Sequence, residues 1–188
     1  MLKTNDLIEL VKQNTATKRI HPFVIAIDGM SGSGKTTLGH FLHMQFPDSN
    51  LFHMDDYFLQ PYQRTAKRLS EVGGNIDYER FMNEIILHLN DKEGLYFRRF
   101  DCQTQTLGPV TCAPWKPLMI IEGAYSQHPY FGNIYDLRIF CEISKEEQRK
   151  RILARNGAEM LKRFENEWIP KEDAYFEFYK IKEKSGLQ

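Results

Sequence analysis

The sequence has little cysteine, no surplus of charge and no long apolar run, and each shortage removes a class of protein. Cys102, Cys112 and Cys141 are the three cysteines in 188 residues, an odd number with no CxxC pair. That pattern suits reduced thiols better than a secreted disulfide framework, and His40 and His43 have no cysteine or acidic partner at zinc-site spacing. Lys plus Arg and Asp plus Glu both number 25, so the formal net charge is zero and no basic stripe stands out. A nucleic-acid partner, which phosphate charge would attract, is not expected. No stretch approaches 18 apolar residues, so no membrane span is expected. Met1 to Asn14 carries Lys3, Asp6, Glu9 and Lys12 and lacks the apolar core of a signal peptide. Reduced thiols in a cytoplasmic setting are the expectation. Repeats and low-complexity tracts are missing too. At about 150 residues per domain the length suits one domain, and 41% apolar with 27% charged residues is ordinary for a globular chain.

What is there alternates. Leu7, Ile8, Leu10 and Val11, with Leu2 before them, have helical spacing, and Phe23 to Ile27 is an uninterrupted apolar run of the kind buried on both faces of a parallel sheet. Lys35 to Phe46 reads as a helix, Leu51 to Met54 as a strand, and Gln60 to Asn75 as a long polar loop with one helical turn. Tyr78 to Asn90 has an apolar face of Phe81, Ile85 and Leu89. Residues 95–112 suggest an antiparallel hairpin around Leu107-Gly108-Pro109. Leu118 to Ile121 and Leu137 to Ile143 are further strands. Ser144, with Glu147 three residues on, caps a charged helix to about Arg155, where Asn156-Gly157 interrupts it; helices follow near 158–167 and 171–180. Strands alternating with helices predict a doubly wound α/β domain.

The strongest signal is Gly29-Met30-Ser31-Gly32-Ser33-Gly34-Lys35-Thr36, a full GxxxxGK[ST] between a strand-like run and a helix. Glycines let backbone N–H groups converge on phosphate oxygens, and the helix start adds its positive end. Lys35 reaches the β and γ phosphates, and the Thr36 hydroxyl ligates Mg²⁺. Gly29, Ser31, Gly32, Ser33, Gly34, Lys35, Thr36 and Thr37 are thus the expected nucleotide-binding set. An NKxD guanine reader is absent, as is the apolar run ending in Asp-Glu of motor and transport ATPases. A small kinase acting on a small molecule is the reading that remains. A nucleotide-binding regulator is the competing class.

Further residues, in order, resemble the uridine kinase-like branch of P-loop kinases over roughly Phe23 to Tyr179. They are Met54-Asp55-Asp56-Tyr57-Phe58, Asn75-Ile76-Asp77-Tyr78, Phe100-Asp101, Ile121-Glu122-Gly123 and the segment from Arg149 to Arg155. The resemblance implies a three-layer α/β sandwich with a mainly parallel central sheet, a small hairpin at about 95–112 and a helical lid at about 149–165. It implies ATP and Mg²⁺, with Thr36, Asp55 and Glu122 around the metal. Lys35, Asp55, Arg151 and Arg155 are the implied catalytic set, Asp55 acting on the acceptor hydroxyl. Asp77, Tyr57, Phe100 and Arg149 fall on the acceptor side, although Asp77 equally suits the N-cap of the helix that follows. Asp56 ranks behind Asp55. A phenol and an imidazole of the nucleoside kinases are replaced by Phe100 and Gln105, and the motif's final Tyr by Phe58. These departures fall on base recognition. A nucleoside is the first expectation for the acceptor, ahead of pantothenate, nicotinamide riboside or a sugar phosphate. A homo-oligomer is left open.

Overall fold

The computed structural model describes residues 4–16 and 21–186. Leu2, counted above in the first helix, lies outside them. Strands β1 (Phe23–Gly29), β2 (Ser49–His53), β5 (Leu118–Glu122) and β6 (Leu137–Cys141) form a parallel sheet in the order β2-β5-β1-β6. The two strands with unbroken apolar sequence, β1 and β5, are central and buried at every residue. Edge strands β2 and β6 are only partly buried.

Alternate β1 side chains enter two different cores. Ile25 and Ile27 pack with Ile120, Ile139 and helices α1 (Thr4–Ala16) and α2 (Lys35–Gln45), through Leu7, Val11 and Leu42. Val24 faces the other side with Met119, Ile121 and Phe140. That core is completed by Phe81 of α4 (Tyr78–Glu84), Tyr175 of α6 (Ile169–Tyr179) and Ile181 of α7 (Ile181–Lys184). Helices thus cover both sheet faces, the α/β architecture that the alternation predicts. No helix among the described residues is long and apolar enough to cross a membrane.

Several local expectations are corrected. The hairpin pairs β3 (Leu95–Asp101) with β4 (Thr106–Ala113), and its turn is Cys102–Gln105, not Leu107-Gly108-Pro109. Asp101 Oδ1 accepts from Gln103 N at 2.7 Å and Thr104 N at 3.4 Å, a side-chain-built turn. Gly108-Pro109 instead sits opposite a register shift between Arg98 and Phe100, where a residue without an N–H is tolerated. The helix from Tyr78 ends at Glu84 and gives way to a 3-10 turn, Ile86–His88. The Ser144-capped helix α5 runs to Arg163, past Asn156, because Gly157 (φ 82°, ψ 171°) kinks it without ending it. A π-helical turn, Phe164–Trp168, joins it to α6. The polar stretch 60–75 contains a 3-10 turn, Pro61–Gln63, and α3 (Ala66–Ser70). Arg68 fastens it, donating to Gly74 O (3.0 Å), Ile76 O (2.9 Å), Tyr78 Oη (2.7 Å) and both Glu79 oxygens.

One carboxylate joins the distant segments. Asp28 is fully buried and accepts from Gly29 N (2.7 Å), Tyr125 N (3.2 Å), Gln127 N (3.0 Å) and Tyr175 Oη (2.9 Å). Burial outweighs these donors and the nearby Lys35 charge, pushing its pKa from 3.8 up to about 6. Between those values the folded chain holds a proton that the unfolded chain has released, so stability falls as pH rises through the window. From pH 4 to 6.5, urea unfolding should show the parent chain losing about 2 kcal/mol more than Asp28→Asn. Equal losses in the two chains would remove Asp28 as the source.

Candidate functional site

Sheet register builds the site. Glu122 ends β5 level with Ile27 of β1 and His53 of β2. Two residues beyond that level stand Gly29 and Asp55, so phosphate loop and carboxylates share the crevice above the strand ends. Gly29 (φ +136°) lies so close to β6 that a Cβ would stand 2.0 Å from Cys141 O. Only glycine lets the strand turn into the loop there.

The loop is held from below and from the side. Lys35 Nζ donates to Gly29 O (2.8 Å) and Met30 O (2.9 Å). The Thr36 hydroxyl donates to Glu122 Oε2 (3.1 Å), while Glu122 Oε1 pairs with His53 Nδ1. Ser31 is gripped at three points. Its N–H (2.9 Å) and its hydroxyl bond the buried Glu172 carboxylate of α6, and its carbonyl accepts from Gln148 Nε2 of α5 (2.9 Å). Arg151 adds a bond to Gly32 O (3.2 Å). Neither Glu172 nor Gln148 belongs to a sequence motif, and sequence reading missed both.

Above the loop opens a cleft of about 790 Å³. Ser31, Gly32, Gly34, Lys35, Thr36, Thr37, Asp55, Glu122, Arg151 and Arg155 all line it. Gly29 lies beneath, and the Ser33 hydroxyl is buried without a hydrogen-bond partner. The crowding walls and the charge of Glu122 raise the Asp55 pKa, opposed by Lys35 and His53. Burial raises Glu172 likewise, and the bond to Glu122 raises His53.

The residues expected on the acceptor side lie elsewhere. Tyr57 is buried, edge-on to Phe81 at 4.7 Å, while its neighbour Phe58 lines the cleft. Asp77 is buried and caps α4: Oδ1 accepts from Arg80 N (3.0 Å) and Oδ2 from Gln63 Nε2 (2.9 Å). Phe100 is buried in the hairpin, and Arg149 lies 3.5 Å from Glu165, away from the cleft. Asp56 turns toward Arg99 (3.4 Å). The cleft is lined besides by Phe58, Arg64, Asn75, Cys102 and Gln105, by Arg163 at the end of α5, and by Phe164 and Trp168 of the π-helical turn.

No family profile and no curated protein matches the sequence. Solved structures do match in three dimensions. A Bacillus stearothermophilus protein provisionally described as a uridine kinase superposes with TM-score 0.71 at 21% identity, covering 99% of this chain and 98% of that one. A Silicibacter protein provisionally named a fructose transport system kinase gives 0.76 at 19%, covering 100% and 98%. D-glycerate 3-kinase from Cryptococcus neoformans gives 0.55 at 14%, covering 90% and 86%. The chain has the P-loop kinase fold.

The Glu172–Ser31 contact is testable without any ligand. Glu172→Ala leaves a loop N–H without its acceptor and should lower the urea-unfolding free energy by about 1–3 kcal/mol. Glu172→Gln, which keeps an acceptor oxygen, should lose less. Equal stability of Glu172→Ala and the parent would show that the contact carries no weight.

Proposed function

We propose that the cleft transfers the γ-phosphoryl group of ATP to a hydroxyl of a small molecule. The observation that carries this reading is Asp55, a carboxylate in the same cleft as Lys35, Thr36 and Glu122. A protein that only senses nucleotide has no use for an acid placed to receive a hydroxyl.

The donor set suits Mg²⁺. Thr36 and Glu122 offer hard oxygens 3.1 Å apart, and no cluster of three or more His, Cys, Asp or Glu among the described residues forms an all-protein metal cage. Mg²⁺ prefers one or two carboxylates plus water and phosphate oxygens. Thr36, Glu122 and Asp55 would hold Mg²⁺, which when bound would neutralise charge on the phosphates. The loop N–H groups and the α2 N-terminus hold the phosphate oxygens. Lys35 exchanges its two loop carbonyls for those oxygens, and Arg151 and Arg155 cover the transferred group as charge spreads over it. Asp55 orients the acceptor hydroxyl and takes its proton. The hydroxyl oxygen bonds to the γ phosphorus, the bond to the bridging oxygen breaks, ADP leaves with that electron pair, and Asp55 passes the proton to water.

The resemblance favours a nucleoside acceptor. Of the two acids offered for its ribose, Asp55 lines the cleft and Asp77 spends its oxygens on the cap of α4 and on Gln63, so a diol would be met by Asp55 and Asn75. Free Cys102, Cys112 and Cys141 suit a reducing, cytoplasmic setting for this chemistry.

Lys35→Ala should abolish label transfer from [γ-³²P]ATP to every acceptor. Asp55→Asn should cut kcat by about 10²–10⁴ while keeping the thermal shift given by Mg·ATP. Full activity in either variant would contradict the assignment.

A further inference from the structure

The phosphate loop carries an anion of its own. Glu172 of α6 is 5% exposed and lines the cleft. Its Oε2 accepts from Ser31 N (2.9 Å) and its Oε1 from Ser31 Oγ (2.5 Å), so one neutral residue supplies both hydrogen bonds. The carboxylate is fixed in place. Further along α6, Tyr175 is tied to Asp28 (2.9 Å), and from α5 Gln148 holds Ser31 O (2.9 Å). The charges around Glu172 are already engaged. Lys35 of α2 acts on it through space but is bonded to Gly29 O and Met30 O, and Asp55, after β2, opposes Lys35. Arg151 of α5 pairs with Glu147 (2.7 Å). On α6 itself Lys171 faces Glu167 (3.7 Å), and Asp173 pairs with Lys145 (2.7 Å). From the sheet side it is faced by the Tyr125 phenol and, beyond Tyr175, by buried Asp28. Burial already pushes the Glu172 pKa up.

Mg·ATP is itself an anion, and the reading above places its phosphates on this same loop. Binding sets like charge beside a buried carboxylate and turns Lys35, which now offsets Glu172, toward phosphate oxygens. Both changes favour the neutral acid. The partner permits the change, because a hydroxyl is donor and acceptor alike. A protonated Oε1 can donate to Ser31 Oγ while Oε2 keeps the Ser31 N–H. The Ser31 O–H is then released to donate into the cleft. Resting on the nucleotide-binding part of that reading, we propose that Glu172 takes up one proton from solvent when Mg·ATP occupies the cleft. The loop thereby exchanges its internal anion for the phosphates, and its grip on α6 survives in both states.

Calorimetric titration with Mg·AMPPNP at one pH, in HEPES and in Tris, reads the protons taken up per nucleotide from the difference in heat. At pH 7.5 the parent should take up about half a proton or more beyond the uptake of Glu172→Gln, the analogue's own protonation cancelling between the two. Glutamine reproduces the contact of the protonated acid, its carbonyl accepting from Ser31 N and its amide donating to Ser31 Oγ. Glu172→Gln should therefore bind Mg·AMPPNP roughly threefold or more tightly than the parent at pH 8, with the gap closing toward pH 6. A carboxylate that merely braces the loop predicts the reverse, weaker binding by the variant at every pH. If the variant does not fold, the parent labelled with carboxyl-¹³C glutamate decides. An infrared band of a protonated carboxyl, moved by the label, should appear on binding, and its absence overturns the proposal. Equal proton uptake by parent and Glu172→Gln also overturns it and leaves nucleotide binding standing. No binding of Mg·AMPPNP to the parent, by calorimetry or thermal shift, overturns the nucleotide reading, and this inference with it.

Discussion

The buried Asp28 carboxylate is the constraint on which the site depends. It ends the apolar run of β1, where a charge is costly, and it is tolerated because four donors from three chain regions converge on it. Two come from the segment after β5, which begins at Gly123 beside Glu122. Another is Tyr175 of α6, which sits three residues after Glu172 and so nearly one helical turn from it. The helix that satisfies Asp28 therefore also grips Ser31. Remove that convergence and the phosphate loop, the Glu122 strand end and α6 lose their common reference point.

The cleft is organised by charge as well as by shape. Lys35 lies among Asp28, Asp55 and Glu172 and lowers the pKa of each, while burial raises all three. Glu122 is held on one oxygen by His53 and on the other by Thr36, which fixes its orientation before any ligand arrives. The rest of the lining is less charged, with the amides of Asn75 and Gln105, the Cys102 thiol and the Arg64 guanidinium among apolar side chains.

Legibility in the sequence followed locality. The phosphate loop is eight consecutive residues, and its strand and helix context adjoin it, so Lys35 and Thr36 could be read directly. Asp55 and Glu122 were readable because each follows a short apolar strand. Asp77 was ambiguous because an N-cap and a hydroxyl-binding acid have the same sequence appearance. The choice between Tyr57 and Phe58 turned on the rotation of one 3-10 turn. Arg149 and Arg151 are two residues apart on a helix, about 200° around its axis, so they face different surroundings. Asp28 and Glu172 were missed for another reason: they answer to groups about 100–150 residues away, which no local pattern records.

Transfer of a phosphoryl group from the cleft to an organic hydroxyl is the central claim. Phosphorus-31 NMR of the enzyme with Mg·ATP and a deproteinised small-molecule extract tests it most directly. The predicted result is a new phosphomonoester resonance growing in step with ADP, with little inorganic phosphate. Inorganic phosphate appearing in step with ADP, and no new ester, would contradict it.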